Sequence, residues 1–142
     1  MTDADVHREA ATRGFRLCQD QQGFSSRAGP YWERRVDDAM VRGLMIGPDH
    51  LNPEGVVHGG VLTAFADYVL YRAIGDVIGH DIQFATISLT CNFLAAARQG
   101  DWLAGHGTAT RRTRTVIFAA GDIATDDRPV LTAQGLWKVI GA

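Results

Sequence analysis

The run NPEGVVHGGVLTAFAD, Asn52 to Asp67, gathers the residue types that could do chemistry in this chain. Gly59 and Gly60 stand where an apolar helical stretch begins, and the first N–H groups of a helix lack intrahelical acceptors. With the positive end of the helix dipole behind them, such donors can hold a developing oxyanion. Without a Cβ, a ligand carbonyl can approach the backbone closely. Taken alone, the glycine pair is explained more simply as close packing of helix on sheet.

Asp67 resists so plain an account. Aspartate is a poor interior helix residue, and here Phe65, Ala66, Tyr68 and Val69 flank it. A buried carboxylate loses its hydration, so it is either paired with a cation or used. Arg72, or an arginine on another element, is the partner that a purely structural role would require.

Spacing links the two features. Gly59 and Asp67 are eight positions apart, about 12 Å along one helix. A base or nucleophile must lie within roughly 3 to 3.5 Å of the reacting atom. One chain therefore cannot aim both at one carbonyl, and a shared site requires a second copy packed antiparallel alongside.

The elements that must position these residues are legible in outline. Asp3 to Gln19 spaces Val6, Ala10, Phe15 and Leu17 among charges and predicts a surface helix capped by Asp3 or Asp5. Gln22 to Pro30, rich in Gly and Ser, reads as a connecting loop. Tyr31 to Val36 and Ala39 to Ile46 read as a hairpin closed by Asp37 and Asp38. Pro48, Asn52 and Pro53 make Gly47 to Gly55 irregular. From Val61 to Ile74 apolar residues fall on nearly every side of a helical wheel, which predicts a helix buried all round. Four strands follow over Ala85 to Ala95, Trp102 to Thr110, Thr115 to Thr125 and Val130 to Ile140. Their short connections predict antiparallel pairing. The fold class is α+β: one long central helix gripped by an antiparallel sheet, preceded by a surface helix.

Composition sets bounds on what the chain can be. At 142 residues it fits a single domain over residues 1–142. A formal net charge of −2 lacks the positive field that nucleic-acid binding requires. The apolar stretch Val56 to Ile78 is interrupted by His58, Asp67, Arg72 and Asp76, which argues against a membrane span. The acidic start at Asp3 and Asp5 does not resemble a signal peptide, and Cys18 and Cys91 form no CxxC pair. A soluble, cytoplasmic protein is the expectation.

The spacing of Asn52, Gly55, His58-Gly59-Gly60 and Asp67 resembles the signature of hotdog-fold acyl-CoA thioesterases of the phenylacetate-degradation (PaaI-like) type. TISLTCNFLAAARQGD, Thr86 to Asp101, is similar to that family's strand after the central helix and its Gly-Asp turn; the sequence departs at Ala96, where the family commonly has proline. The resemblance covers about the C-terminal two thirds of the chain and leaves residues 1–41 weakly constrained. It implies that the Gly59 N–H polarises the thioester carbonyl with Asn52 assisting. It implies that Asp67 of the neighbouring subunit is base or nucleophile, and that Thr86 of that same neighbour orients the attacking water. His58 would order the loop, and Gly60 would contact substrate. The implied assembly is a homodimer, extended to a dimer of dimers, acting on acyl-CoA without cofactor or metal.

Arg111, Arg112 and Arg114 form the one basic cluster, suited to coenzyme A phosphates, although such a cluster is more often a solvated turn. His7, His50, His80 and His106 lack HxH or HExxH spacing. Trp32, Trp102 and Trp137 read as core or interface residues. A non-catalytic acyl-CoA-binding module would need the glycines but not Asp67. A hotdog dehydratase would need an acid-base histidine that His58, directly before Gly59, supplies poorly. The acyl group, and whether Asp67 attacks water or the ester, are left open by sequence.

Overall fold

The computed structural model describes residues 1–19 and 21–141. Helix α1 (Asp3–Thr12) starts at Thr2. Asp5 N–H donates to the Thr2 hydroxyl at 3.2 Å, and Thr2 N–H donates to the Asp5 carboxylate at 2.9 Å. This reciprocal capping satisfies two donors that the helix start would otherwise leave open. The cap is thus Thr2 and not Asp3 or Asp5, and the helix is shorter than expected. It ends at Thr12 because Gly14 takes a φ of 81°, after which β1 (Arg16–Leu17) runs as a strand. The segment read as a connecting loop also contains a helix, α2 (Phe24–Ala28), which its Gly, Ser and Pro content concealed.

Strands β2 (Trp32–Val36) and β3 (Ala39–Met45) form the expected hairpin, with Val36 opposite Ala39. Asp37 turns the chain at a φ of 54°, a left-handed conformation that aspartate tolerates better than most residues. The approach loop holds a single 3-10 turn at Pro48–His50. Helix α3 (Gly59–Ile78) follows, then β4 (Phe84–Phe93), β5 (Trp102–Arg112), β6 (Val116–Ala124) and β7 (Pro129–Val139).

The seven strands form one antiparallel sheet in the order β1-β2-β3-β5-β6-β7-β4. Strands β5, β6 and β7 pair in sequence as short connections predict, but β4 does not pair with β5. It lies beyond β7, at the sheet edge. Residues 94–101 cross beneath the start of α3 instead of closing a hairpin. There Val57 N–H donates to Ala97 C=O at 2.9 Å, and Gly100 N–H to Ile46 C=O at 2.9 Å. The crossover therefore braces the loop that delivers the helix N-terminus.

Helix α3 sits in the concave face of the sheet at unusually close range. A Cβ on Gly105 would stand 2.6 Å from Val69, and one on Gly107 or Gly121 would stand 2.9 Å from Leu70. A side chain at any of these strand positions would force its neighbours to shift, so glycine there lets the helix seat this closely. Phe65, Leu70 and Ile74 then bury against Leu103, Ile117, Leu131 and Trp137. Each fully buried aliphatic or aromatic side chain of this kind stabilises the fold by about 1.5–3 kcal/mol. A second cluster joins Ala10 to Trp32 and Trp102 under α1, so all three tryptophans are core residues.

The helix is not buried all round within one chain. Ala64, Asp67, Tyr68 and Tyr71 lie on a half-buried flank that the sheet covers only at its edge, where Thr86 and Phe84 of β4 meet Asp67 and Tyr71. Among the described residues, no helix is long and apolar enough to cross a membrane.

Candidate active site

The start of α3 is built by histidines. His58 is the N-cap, and its Nδ1 accepts from the Gly60 N–H at 2.8 Å. Its backbone N–H donates to His50 C=O at 2.9 Å. His50, itself buried, accepts at Nδ1 from the Gly47 N–H at 3.0 Å, and its Nε2 donates to Ala28 C=O at 2.7 Å. Both histidines are thus occupied in ordering the loop.

The two glycines have different tasks. The Gly60 N–H is spent on the His58 ring, and a Cβ there would lie 2.9 Å from Nδ1, so glycine makes room for the cap. The Gly59 N–H has no acceptor among the described residues. Only the Phe93 ring, 3.7 Å from a virtual Cβ, adjoins it. Gly59 is therefore the open donor at the positive end of the helix. Asn52 shapes the preceding turn: its Oδ1 accepts from Glu54 N–H at 2.9 Å and Val56 N–H at 3.3 Å. Its Nδ2 hydrogens are what it can still offer.

Asp67 lies two turns further along, half-buried, where Thr86 Oγ1 on β4 donates to its Oδ1 at 2.8 Å. Among the described residues no cation lies within ion-pair distance of it. Arg72, the partner a structural role would use, faces Glu33 at 3.8 Å instead. Burial pushes the Asp67 carboxyl above its ordinary value of 3.8, and the Thr86 hydrogen bond offsets that only in part. The carboxylate opens on a cavity of about 360 Å³ lined by Ala64, Tyr31, Tyr68, Tyr71 and Arg72 among others. Gly59 and Asp67, eight residues apart on one helix, remain about 12 Å apart within the chain.

Arg111 and Arg112 end β5 and Arg114 lies in the turn before β6; all three are exposed, with no ion-pair partner among the described residues. Cys18 and Cys91 are free thiols.

Sequence reasoning missed a second charged cluster. Arg42 on β3, only 2% exposed, donates from Nη1 and Nη2 to the Asp76 carboxylate, the latter at 3.0 Å, and from Nη2 to Glu33 at 3.3 Å. His80 Nε2 lies 2.9 Å from Asp76 Oδ1. Burial alone would pull the Asp76 carboxyl up, but Arg42 and His80 outweigh it and hold the group below the usual carboxylate range. The available signal was an arginine within AMVRGLM, as anomalous in an apolar strand as Asp67 is in its helix.

An antiparallel sheet wrapped on one helix, with an open N-terminal donor and an uncompensated helical carboxylate, is an arrangement suited to acyl transfer. A sequence profile of the thioesterase superfamily matches residues 54–132, more than half the chain. The chain belongs to the thioesterase superfamily, and with it to the thioester hydrolases. A Pseudomonas aeruginosa protein named "Putative esterase PA0474" is 30% identical over 112 residues, spanning 78% of this chain and 84% of that one. A phenylacetic acid degradation-related protein of Ralstonia eutropha JMP134 matches in structure with a TM-score of 0.69 at 26% identity, over 93% of this chain and 89% of that one. A hypothetical thioesterase of Streptococcus pneumoniae TIGR4, solved with coenzyme A, matches with a TM-score of 0.68 at 26% identity, over 78% and 89%. The hotdog architecture and the PaaI-like resemblance expected from residues 52–67 agree with these matches.

Proposed function

We propose that the protein hydrolyses acyl-coenzyme A thioesters at a site completed only in a homodimer. The observation that carries this reading is Asp67, a half-buried carboxylate in an apolar helix with a raised pKa and no cation beside it among the described residues. The coenzyme A held by the Streptococcus relative supports the substrate class. Strand β4 supports the dimer: it is an unpaired sheet edge that carries Ile87 and Phe93 and runs into Leu94, each more than half exposed. Long apolar edges of this kind are templates for pairing with another chain. An antiparallel β4–β4 pair about a two-fold axis would run the two α3 helices alongside in opposite directions, bringing Gly59 of one chain toward the partner's Asp67. A dimer of dimers through the outer sheet face extends the same reading.

In this site the Gly59 N–H, with Asn52 Nδ2 assisting, holds the thioester carbonyl oxygen as negative charge develops on it. A donor fixed in a dry site does so without reorganising. The partner's Asp67 takes a proton from water, whose oxygen attacks the carbonyl carbon. The tetrahedral adduct then expels the coenzyme A thiolate, which is protonated as the free acid leaves. Direct attack by the carboxylate, through a mixed anhydride that water opens, uses the same placement. Thr86 holds the carboxylate and orients the water. Arg111, Arg112 and Arg114 would meet the coenzyme A phosphates at the mouth of the site.

Free-thiol release from a panel of acyl-CoA esters tests the activity, and two variants test the shared site. Asp67→Asn removes the base. Gly59→Pro removes the N–H and puts a ring where the carbonyl would approach, without breaking the helix start, since proline is accepted at the first helical position and His58 already has the extended backbone, φ −62° and ψ 134°, that precedes proline. Each variant alone is expected to be nearly inactive. Mixed after subunit exchange, they should regain about a quarter of wild-type activity, because half the dimers carry one intact site in two. Binding of coenzyme A esters with no thiol release by the wild type would identify the protein as a binding module instead.

A further inference from the structure

The cavity that Asp67 opens on has a cationic far end. Arg72 lines it, with its side chain 12% exposed, yet none of its donors makes a hydrogen bond among the described residues. The carboxylate it faces, Glu33 Oε1 at 3.8 Å, is beyond hydrogen-bond range, and its Nε is wholly buried without a partner among the described residues. A guanidinium carries five donors, and leaving them unmet in a buried place is costly. Glu33 is already shared with Arg42 and Arg16. Among the described residues the adjoining space of about 300 Å³ is lined by Arg16, Arg35, Arg42 and Arg72 against two carboxylates, Glu33 and Asp76. Arg72, which lines both spaces, is the member of this positively charged cluster that reaches the Asp67 cavity.

On the reading that Asp67 marks the reacting carbonyl, we infer that Arg72 makes the acyl pocket selective for acyl groups ending in a carboxylate, the monothioesters of short dicarboxylic acids. The two side chains leave α3 five residues apart and both line the same cavity of about 360 Å³. A five-carbon dicarboxylic acyl chain spans about 5 Å from thioester carbon to carboxylate, short enough to lie within that cavity with its far carboxylate accepting from the guanidinium at ~2.9 Å. The planar fork of arginine matches a carboxylate in two parallel bonds, which a methyl terminus cannot use. Tyr31, Tyr68 and Tyr71 wall the chain between the two ends.

The test compares glutaryl-CoA with pentanoyl-CoA, equal in carbon number and different only at the terminus, by thiol release after subtracting spontaneous hydrolysis. The wild type is expected to favour glutaryl-CoA at least about tenfold in kcat/KM, mainly through KM, as sites that hydrogen-bond a substrate group reject analogues lacking it. In Arg72→Met the glutaryl-to-pentanoyl ratio should fall to about one, and Arg72→Lys should restore part of it. A wild-type ratio near or below one, or a ratio that Arg72→Met leaves unchanged, overturns the inference while leaving the hydrolase reading intact. Absence of thiol release from both esters while other acyl-CoA esters of the panel release thiol overturns this inference alone; absence across the whole panel overturns that reading and this inference together.

Discussion

Asp67 and Asp76 occupy the same helix two and a half turns apart, yet they stand in opposite electrostatic states. Asp76 meets the buried Arg42 guanidinium through both oxygens and is held below the usual carboxylate pKa. Asp67 is more deeply set, receives one hydroxyl hydrogen bond, and is pushed above that range. One carboxylate is compensated and ties α3 to β3. The other is uncompensated, and its retained basicity is what proton abstraction needs. A charged residue in an apolar element is thus not by itself a sign of chemistry; its partner, or lack of one, decides.

The largest effect should come from breaking the compensated end. Arg42→Met leaves Glu33 and Asp76 without their buried cation, and should cost about 3 kcal/mol of stability, read as a lower urea midpoint. An unchanged midpoint would mean that the cluster does not hold α3 to the sheet. Next, Asp67→Asn should lower turnover at least about a hundredfold, with no loss of stability at neutral pH. The variant keeps the Thr86 hydrogen bond and no longer buries a charge, so its thermal midpoint at pH 7 should match or exceed that of the wild type.

The two acids should also differ in how stability depends on pH. The folded pKa of Asp76 lies below its unfolded value of 3.8, so its contribution is full above that value and drains as pH falls through the lowered one. The folded pKa of Asp67 lies above 3.8, so its protonated form favours folding below that value, and the benefit disappears as pH rises through the raised one. The stability deficit of Asp76→Asn should therefore shrink in acid, while any advantage of Asp67→Asn should also vanish there. Matching pH dependences in the two variants would refute the contrast. Smallest of all, Thr86→Val removes the one bond that offsets the burial of Asp67. The acid limb of kcat/KM, already expected above pH 3.8, should move further up in that variant, with only a fewfold loss at high pH.

Much of this arrangement could be read from residue order. The apolar wheel from Val61 to Ile74 announced α3, and the four later strands lie within a few residues of where alternation and turn residues put them. Thr2 and the helix at Phe24–Ala28 escaped notice because capping and short helices depend on one or two local bonds that composition does not reveal. The passage of β4 to the far side of β7 was hidden for a different reason: a short connection suggests a neighbour, and only the bracing of residues 94–101 against the approach loop diverts it.

Local sequence fixed where the helix begins, that a carboxylate sits in its apolar run, and that Gly59 and Asp67 are too far apart to serve one carbonyl from one chain. These follow from covalent spacing and helical rise, which no tertiary contact alters. Folding alone decided which of the two glycine N–H groups stays open, that Thr86 and not Arg72 meets Asp67, and that Arg42 is drawn to Asp76. Those outcomes depend on pairs distant in sequence, whose meeting is set by sheet register and by how closely the glycine-faced strands let α3 approach.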